Sequence, residues 1–178
     1  HYKPRVQLPE NPKPIALHIG LAENKNLRRH AEALSGLDVQ LLIIGEPDQE
    51  DEMMLQSNEI EYTWRSKLSN KEMQQAYAES DFLLFASTLE GFGMPIIEAQ
   101  MVGLPVITSD IDPMREVAGD GGLLCDPLDS NSIRAAVTKL LADPSLQKQI
   151  IASGFLNHER FAPAAAAKQL NNLYQNLK

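Results

Sequence analysis

Apolar residues in this chain gather into short runs separated by longer amphipathic stretches. Six runs, at 15–19, 39–44, 60–64, 82–86, 106–109 and 123–125, carry most of the Ile, Val, Leu and Phe of strand type, with 60–64 the weakest. Runs without strict polar alternation predict strands covered on both faces, as in a parallel sheet. Between the runs the period lengthens to that of a helix. Ile133, Ala136, Val137, Leu140 and Leu141 share one helical face, and Ala166, Leu170, Leu173, Tyr174 and Leu177 share another. Ser69 followed by Glu72 predicts a capping box opening a helix that runs to about Glu79. Asp112-Pro113 and Asp143-Pro144 each place a capping carboxylate ahead of a proline suited to the first helical position.

Strands alternating with helices predict a Rossmann-like α/β fold, a parallel sheet of about six strands with helices on both faces. Such sheets hold ligands beyond the carboxyl ends of their strands, where the strand order reverses. The loops after Ile19, Ile44, Trp64, Ala86 and Ser109 are therefore where chemistry is expected. Residues 1–14 hold four of the eleven prolines and no apolar period. They read as an extended lead-in, and the folded domain is expected to span 15–178.

Composition narrows the functional classes. At 178 residues, 43% hydrophobic and 22% charged, the chain is of single-domain size with enough apolar material for a real core. A net charge of −8 argues against a nucleic-acid binder working through a general basic face, while leaving room for a focused phosphate site. No run approaches the roughly 20 apolar residues that cross a bilayer. Peripheral membrane association of a longer protein stays compatible with the sequence. The single cysteine, Cys125, allows no internal disulfide and points to a reducing, cytoplasmic setting. No His/Cys cluster and no Asp pair at a strand end has metal-ligand spacing, so neither metal nor cofactor is expected. The acidic run at 46–52 reads as a solvated loop.

The loop after the fourth strand run carries the strongest chemical signal. Across Ser87-Thr88-Leu89-Glu90-Gly91-Phe92-Gly93-Met94-Pro95-Ile96-Ile97-Glu98, two glycines permit close backbone approach and Pro95 predicts the first position of a helix. A helix N-terminus there would present its N–H groups to an anion, with Glu90 and Glu98 facing one crevice. Gly-x-Gly is also the composition of an ordinary tight turn, and a glutamate near a helix start also complements the helix dipole.

The longer block settles between these readings by resemblance. Glu90 and Glu98 are separated by seven residues, and the run from Glu90 through Ala99-Gln100-Met101-Val102-Gly103-Leu104-Pro105-Val106-Ile107-Thr108-Ser109 resembles the E-x7-E segment of the family 4 retaining glycosyltransferases. Glu116-Val117-Ala118-Gly119-Asp120-Gly121-Gly122-Leu123-Leu124 continues it, and upstream Gly20, Lys25-Asn26 and Gly45 fall where that family places phosphate and nucleotide loops. The resemblance runs from about Ile15 to the C-terminus and implies the C-terminal, donor-binding half of a two-domain GT-B enzyme. It implies a nucleotide-diphosphate sugar as donor, and a glycan or lipid-linked acceptor held by a missing N-terminal domain. By the same resemblance Glu98 would accept hydrogen bonds from ribose hydroxyls and Glu90 from the transferred sugar, two catalytic or binding roles suited to acceptor-only carboxylates. Main-chain N–H groups of Gly91, Phe92, Gly93 and Met94 would line sugar and phosphate. Lys25 would neutralise the diphosphate leaving group, and Trp64, Arg65 and Leu68 would lie against the base.

The chain departs from the family at Leu21, where many relatives carry an arginine that shares the diphosphate. Diphosphate grip then rests on Lys25, with Arg65 a candidate to compensate. His18 reads as a hydrogen-bonded interior histidine, Cys125 as a buried structural thiol, and Trp64 equally as a packing residue. Two other functions fit the same fold: a nucleotide-sugar epimerase, and an inactive GT-B-like interaction domain, toward which Leu21 points. A nicotinamide oxidoreductase does not fit, since His18-Ile19-Gly20-Leu21-Ala22-Glu23 stands where Gly-x-Gly-x-x-Gly would be needed.

Overall fold

The computed structural model describes residues 3–5 and 11–162. Its six strands are β1 Ile15–Ile19, β2 Gln40–Ile44, β3 Tyr62–Arg65, β4 Phe82–Phe85, β5 Val106–Ser109 and β6 Leu123–Cys125. They form one sheet in the order β3-β2-β1-β4-β5-β6, with every neighbouring pair parallel. The Rossmann-like sheet expected from the apolar runs is thus present. The central strands β4 and β5 are buried along their whole length, which is why their sequences are unbroken apolar runs. β3 is an edge strand, half exposed, and it begins two residues later than its sequence run suggests. Ile60, the most apolar residue of that run, packs into the core just ahead of the strand.

The helices are α1 Leu27–Leu34, α2 Gln49–Ser57, α3 Asn70–Glu79, α4 Met94–Val102, α5 Met114–Ala118, α6 Ser130–Ala142 and α7 Pro144–His158. One core joins Ala16, Leu41, Ile43, Phe82 and Leu84 of the sheet to α1, α2 and α6. The other joins Leu17, Leu42, Leu83, Phe85 and Val106 to α3, α4 and α5. Alternate residues of each strand therefore serve opposite helical layers, as the two-residue period of a strand requires. Residues 166–177, expected to form an amphipathic helix, lie outside the described residues.

Local capping sets where several helices begin. Ser69 and Glu72 make the expected reciprocal box, with Glu72 accepting from the Ser69 N–H at 2.7 Å. Asp143 accepts from the N–H groups of Ser145 and Leu146 at 2.9 and 3.0 Å, with Pro144 opening α7. Asp112 does not cap. Pro113 occupies the cap position of α5 itself, and the Asp112 carboxylate turns to Arg115, 3.8 Å away. The acidic run at 46–52 is likewise no plain loop. Asp48 and Asp51 form a capping box that starts α2, where negative charge meets the positive end of the helix dipole.

The lead-in holds on to the base of the sheet. The Arg5 guanidinium donates to the carbonyls of Ser80 and Gly103 at 2.8 and 2.6 Å. Asn11 bonds the Glu79 carbonyl and Asp81, and Asp81 also accepts from the N–H of Ile15 at 2.8 Å. These contacts fix the start of β1 from below and leave the carboxyl ends of the strands to the functional loops.

Candidate functional site

The chain runs outward from β1 through β2 to β3, then crosses to β4 and runs outward the other way. The loops after β1 and β4 thus part at the middle of the sheet, the place where doubly wound folds keep their ligand crevice. Lys25, from the first loop, and Glu90, from the second, meet there with Nζ 2.6 Å from Oε1. Their side chains are 21% and 12% exposed, open enough to reach a ligand and sheltered enough for their charges to count. The Lys25 ammonium also stands 5.0 Å from the centre of the Phe85 ring.

Main-chain and amide bonds lock these loops together. The Thr88 N–H donates to the Asn24 carbonyl at 2.8 Å, and the Asn24 amide to the Leu89 carbonyl at 2.7 Å. Asn26 is buried in the left-handed conformation, at φ 65°. Its amide donates to the carbonyls of Ala86 and Pro127 at 2.8 and 2.7 Å, while its oxygen accepts from Arg29 at 3.0 Å. One side chain therefore gathers the loops that follow β1, β4 and β6, and asparagine suits the position because it tolerates positive φ.

Gly93, at φ +100°, caps the start of α4, and a Cβ there would stand 3.1 Å from Ile96. Pro95 takes the second helical position and not the first, since Gly93 lets the helix begin at Met94. Of the leading positions of α4, Pro95 has no N–H and Ile96 gives its own to the Gly93 carbonyl at 3.0 Å, which among the described residues leaves the Met94 N–H without a main-chain partner. Gly91 is exposed, and Phe92 and Met94 are 42% and 53% exposed, so this segment forms an open lip. Phe92 is steadied by an edge contact with Phe161 at 5.7 Å. One turn into α4, Glu98 accepts a hydrogen bond from the Tyr77 hydroxyl of α3 at 2.7 Å.

On the other flank, the Gly45 N–H donates to the Arg65 carbonyl at 2.8 Å. Gly45 is hemmed by Leu21, whose side-chain carbons would lie 2.8 Å from a Cβ there. Trp64 is 42% exposed and Leu68 partly buried against the second core. Arg65 is committed to Glu79 at 2.8 Å, and Gln75 holds the other oxygen of that carboxylate. Among the described residues, no hydrogen bond or ion pair joins Trp64, Arg65 or Leu68 to the Lys25–Glu90 pair. The structure therefore brings together Gly20, Lys25, Glu90 and the 91–94 lip. Gly45, Trp64, Arg65 and Leu68 follow on the adjoining flank, at and beyond the ends of β2 and β3, with Gly45 against Leu21 of the first loop.

A family model described as "Glycosyl transferases group 1" matches residues 3–156. The chain belongs to that family. Among group 1 relatives it is 30% identical to O-antigen chain mannosyltransferase B of Escherichia coli over 174 residues, covering 91% of this chain and 46% of that protein. The structure superposes on sucrose-phosphate synthase of Thermosynechococcus elongatus with a TM-score of 0.80 at 26% identity, covering 93% of this chain and 46% of the other. It also superposes on the C-terminal domain of a group 1 glycosyl transferase from Francisella tularensis, with a TM-score of 0.73 at 21% identity, covering 86% and 92% of the two chains. This chain spans less than half the length of the E. coli group 1 relative it matches.

Three residues in and around the candidate site have partners that the sequence does not mark. Tyr77 lies on the buried face of α3 and reads as core, yet its hydroxyl reaches Glu98. Asn26 is marked only by its place after Lys25, and its bonds to Ala86 and Pro127 span 60 and 101 residues of chain. His30 sits on the buried face of α1 and pairs with His18, which is interior as its strand position predicts. Cys125 is buried, and that burial, helped by Asp126 and Asp110, pushes its thiol up to about 12, which makes it no nucleophile. Among the described residues no helix is long and apolar enough to cross a membrane.

Proposed function

We propose that this chain is the donor-binding half of a retaining, metal-independent glycosyltransferase of GT-B type. It takes a sugar from a nucleotide-diphosphate donor and passes it to a glycan or lipid-linked acceptor held by an N-terminal domain, in glycan or polysaccharide biosynthesis. The observation that carries this reading is the meeting of Lys25 and Glu90 at the strand-order reversal, beside the start of α4, which also carries Glu98. The coverage of a C-terminal glycosyl transferase domain over nearly its whole length supports the domain assignment.

In this reading the ammonium of Lys25 faces the diphosphate. It has three N–H donors, so it holds Glu90 and a phosphate oxygen together. As the glycosidic bond breaks, negative charge grows on the leaving phosphate, and a fixed ammonium with main-chain N–H groups stabilises it without reorganising. Glu90, steered by Lys25, accepts from hydroxyls of the sugar. Glu98, steered by Tyr77, accepts from the ribose.

The two carboxylates separate by ligand. Glu98→Ala is expected to weaken nucleoside diphosphate and nucleotide sugar alike, about tenfold for a lost charge-assisted pair of bonds. Glu90→Ala is expected to reduce chiefly the preference for the sugar-bearing ligand. Calorimetry against a panel of nucleoside diphosphates and their sugars, led by nucleotide-activated mannose because the E. coli relative is named a mannosyltransferase, checks both. Equal effects of the two changes on plain diphosphate would contradict the assignment.

Turnover tests the larger claim. Holding the acceptor oxygen against the anomeric carbon is worth roughly 7–11 kcal/mol of a barrier of this kind. The chain alone is therefore expected to bind donor without transferring sugar, and the protein with its N-terminal half to transfer it. Efficient transfer by the chain alone would refute the half-enzyme reading. Donor binding with no transfer by the completed protein and its acceptor would instead favour an inactive interaction domain, to which Leu21 points.

A further inference from the structure

Two histidines face each other beneath the loop that follows β1. His18 of β1 and His30 of α1 approach with their Nδ1 atoms 2.9 Å apart and their rings nearly perpendicular, and both are fully buried. The Nε2 of His18 lies 2.7 Å from the carbonyl oxygen of Gly20. A carbonyl only accepts, so this Nε2 carries a hydrogen. Burial, with Lys25 nearby as a lesser cause, draws the His18 pKa down to about 4 against the pull of that carbonyl, so the ring is neutral near pH 7 and its Nδ1 is a bare acceptor. His30 must then supply the hydrogen between the rings from its own Nδ1. Its pKa is held well below the ordinary value by burial first and His18 second, with the Ala86 carbonyl opposing. The remaining Nε2 of His30 makes no well-formed hydrogen bond, although the Ala86 carbonyl lies near enough to act on the ring. With both rings neutral, the His30–His18 and His18–Gly20 contacts are satisfied together by one order of protons, a directed chain from His30 to His18 to the Gly20 carbonyl.

The last link of that chain ends at the candidate phosphate site. Gly20 lies under the stem of Lys25, since a Cβ at Gly20 would stand 3.1 Å from two carbons of that side chain. Gly20 is at φ +89° and gives its own N–H to the Ile44 carbonyl at 2.8 Å. In a trans peptide the carbonyl and the following N–H point in opposite directions. With the Gly20 carbonyl drawn inward to His18, the N–H of Leu21 is turned away from the imidazole pair, and among the described residues it has no main-chain partner. The Leu21 side chain packs over Gly45 and the core. The position therefore offers an unbonded main-chain donor and no side-chain cation.

We propose that His18 is a positioning residue for the diphosphate. By fixing the Gly20 carbonyl from below, it holds the Leu21 N–H toward the phosphate beside Lys25, and His30 keeps His18 in the tautomer that can do so. The inference rests on the donor-binding reading of Lys25. It assigns to the backbone the part of the phosphate grip that Leu21 cannot supply through its side chain.

The test uses the 178-residue chain and inorganic pyrophosphate. Long-range 15N–1H correlation spectra of the imidazoles are expected to show the Nε2–H tautomer for His18 and the Nδ1–H tautomer for His30. The Leu21 amide is expected to move on adding pyrophosphate. His18→Phe keeps a ring of similar size and removes the donor, so pyrophosphate should bind about five- to tenfold more weakly and the Leu21 amide should cease to respond. His18→Gln, which restores an N–H near the same place, should recover most of the loss. The reverse tautomers, or a Leu21 amide indifferent to bound pyrophosphate, would overturn the proposal even if the Phe variant failed to fold. Pyrophosphate binding that falls in Lys25→Ala but not in His18→Phe would remove the role of His18 alone. Binding that survives Lys25→Ala, or no binding by the parent chain, would remove the donor-site reading on which the proposal stands.

Discussion

Replacing Lys25 with alanine is expected to weaken nucleoside-diphosphate binding by tenfold or more while leaving nucleoside binding unchanged. The ammonium is held on Glu90, next in sequence to the 91–94 lip, and that contact places it there before any ligand arrives. A hydrogen bond to a charged group is worth about 1.5–3 kcal/mol, and neither Leu21, which is apolar, nor Arg65, which is bonded to Glu79, replaces it. Removing Lys25 also leaves Glu90 facing the phosphate with no cation between them, which adds repulsion to the lost attraction. Calorimetric titration of wild type and Lys25→Ala with one nucleoside and its diphosphate decides the matter. Identical losses for both ligands would mean that Lys25 acts through folding of the loop and not through the phosphate.

Acid should destabilise this chain before its carboxylates titrate. An imidazole titrates near pH 6.5 in an unfolded chain, while His18 in the folded protein does so at about 4. Between those values the unfolded chain binds the proton and the folded one refuses it, so stability is complete above about pH 6.5 and is lost as pH falls through the window toward 4. The loss from His18 alone is about 3 kcal/mol. His30, depressed for the same reason of burial beside another imidazole, acts in the same direction. Urea unfolding at several pH values between 7 and 4 measures the slope. The His18→Gln variant, which has no proton to take up, should show a flatter one. Equal slopes in the two proteins would show that the buried pair does not carry the acid sensitivity.

Lys25 and Glu90 stand 65 residues apart in sequence, and each is marked by the glycines and punctuation around it. The acid prediction rests on His18 and His30, where only one member of the pair had any sign of being interior. A strand position marks His18 as buried through its apolar neighbours. His30 sits in Leu27–Leu34 among charged residues, Arg28, Arg29 and Glu32, and nothing local says which partner its ring meets.

The sequence by itself determined the layered α/β architecture, because an apolar run covered on both faces and an amphipathic helix are each one-dimensional patterns. The same is true of the Ser69 and Asp143 caps, which involve residues within one helical turn. It missed the α2 cap inside 46–52 and misread Asp112, since an Asp-Pro pair offers a cap only if the backbone brings the carboxylate back to the helix start. The E-x7-E block is likewise a local signal, because glycines, proline and acidic residues there are set by the backbone's own turn. Only the tertiary structure decided which partners close the site. The strand order β3-β2-β1-β4-β5-β6 puts the loops after β1 and β4 side by side, and that order is a property of the assembled sheet. Lys25 on Glu90, Tyr77 on Glu98, Asn26 across three loops and His30 behind His18 follow from it. Each joins groups far apart along the chain whose angular and distance requirements no local period records, so they became legible only once the sheet had closed.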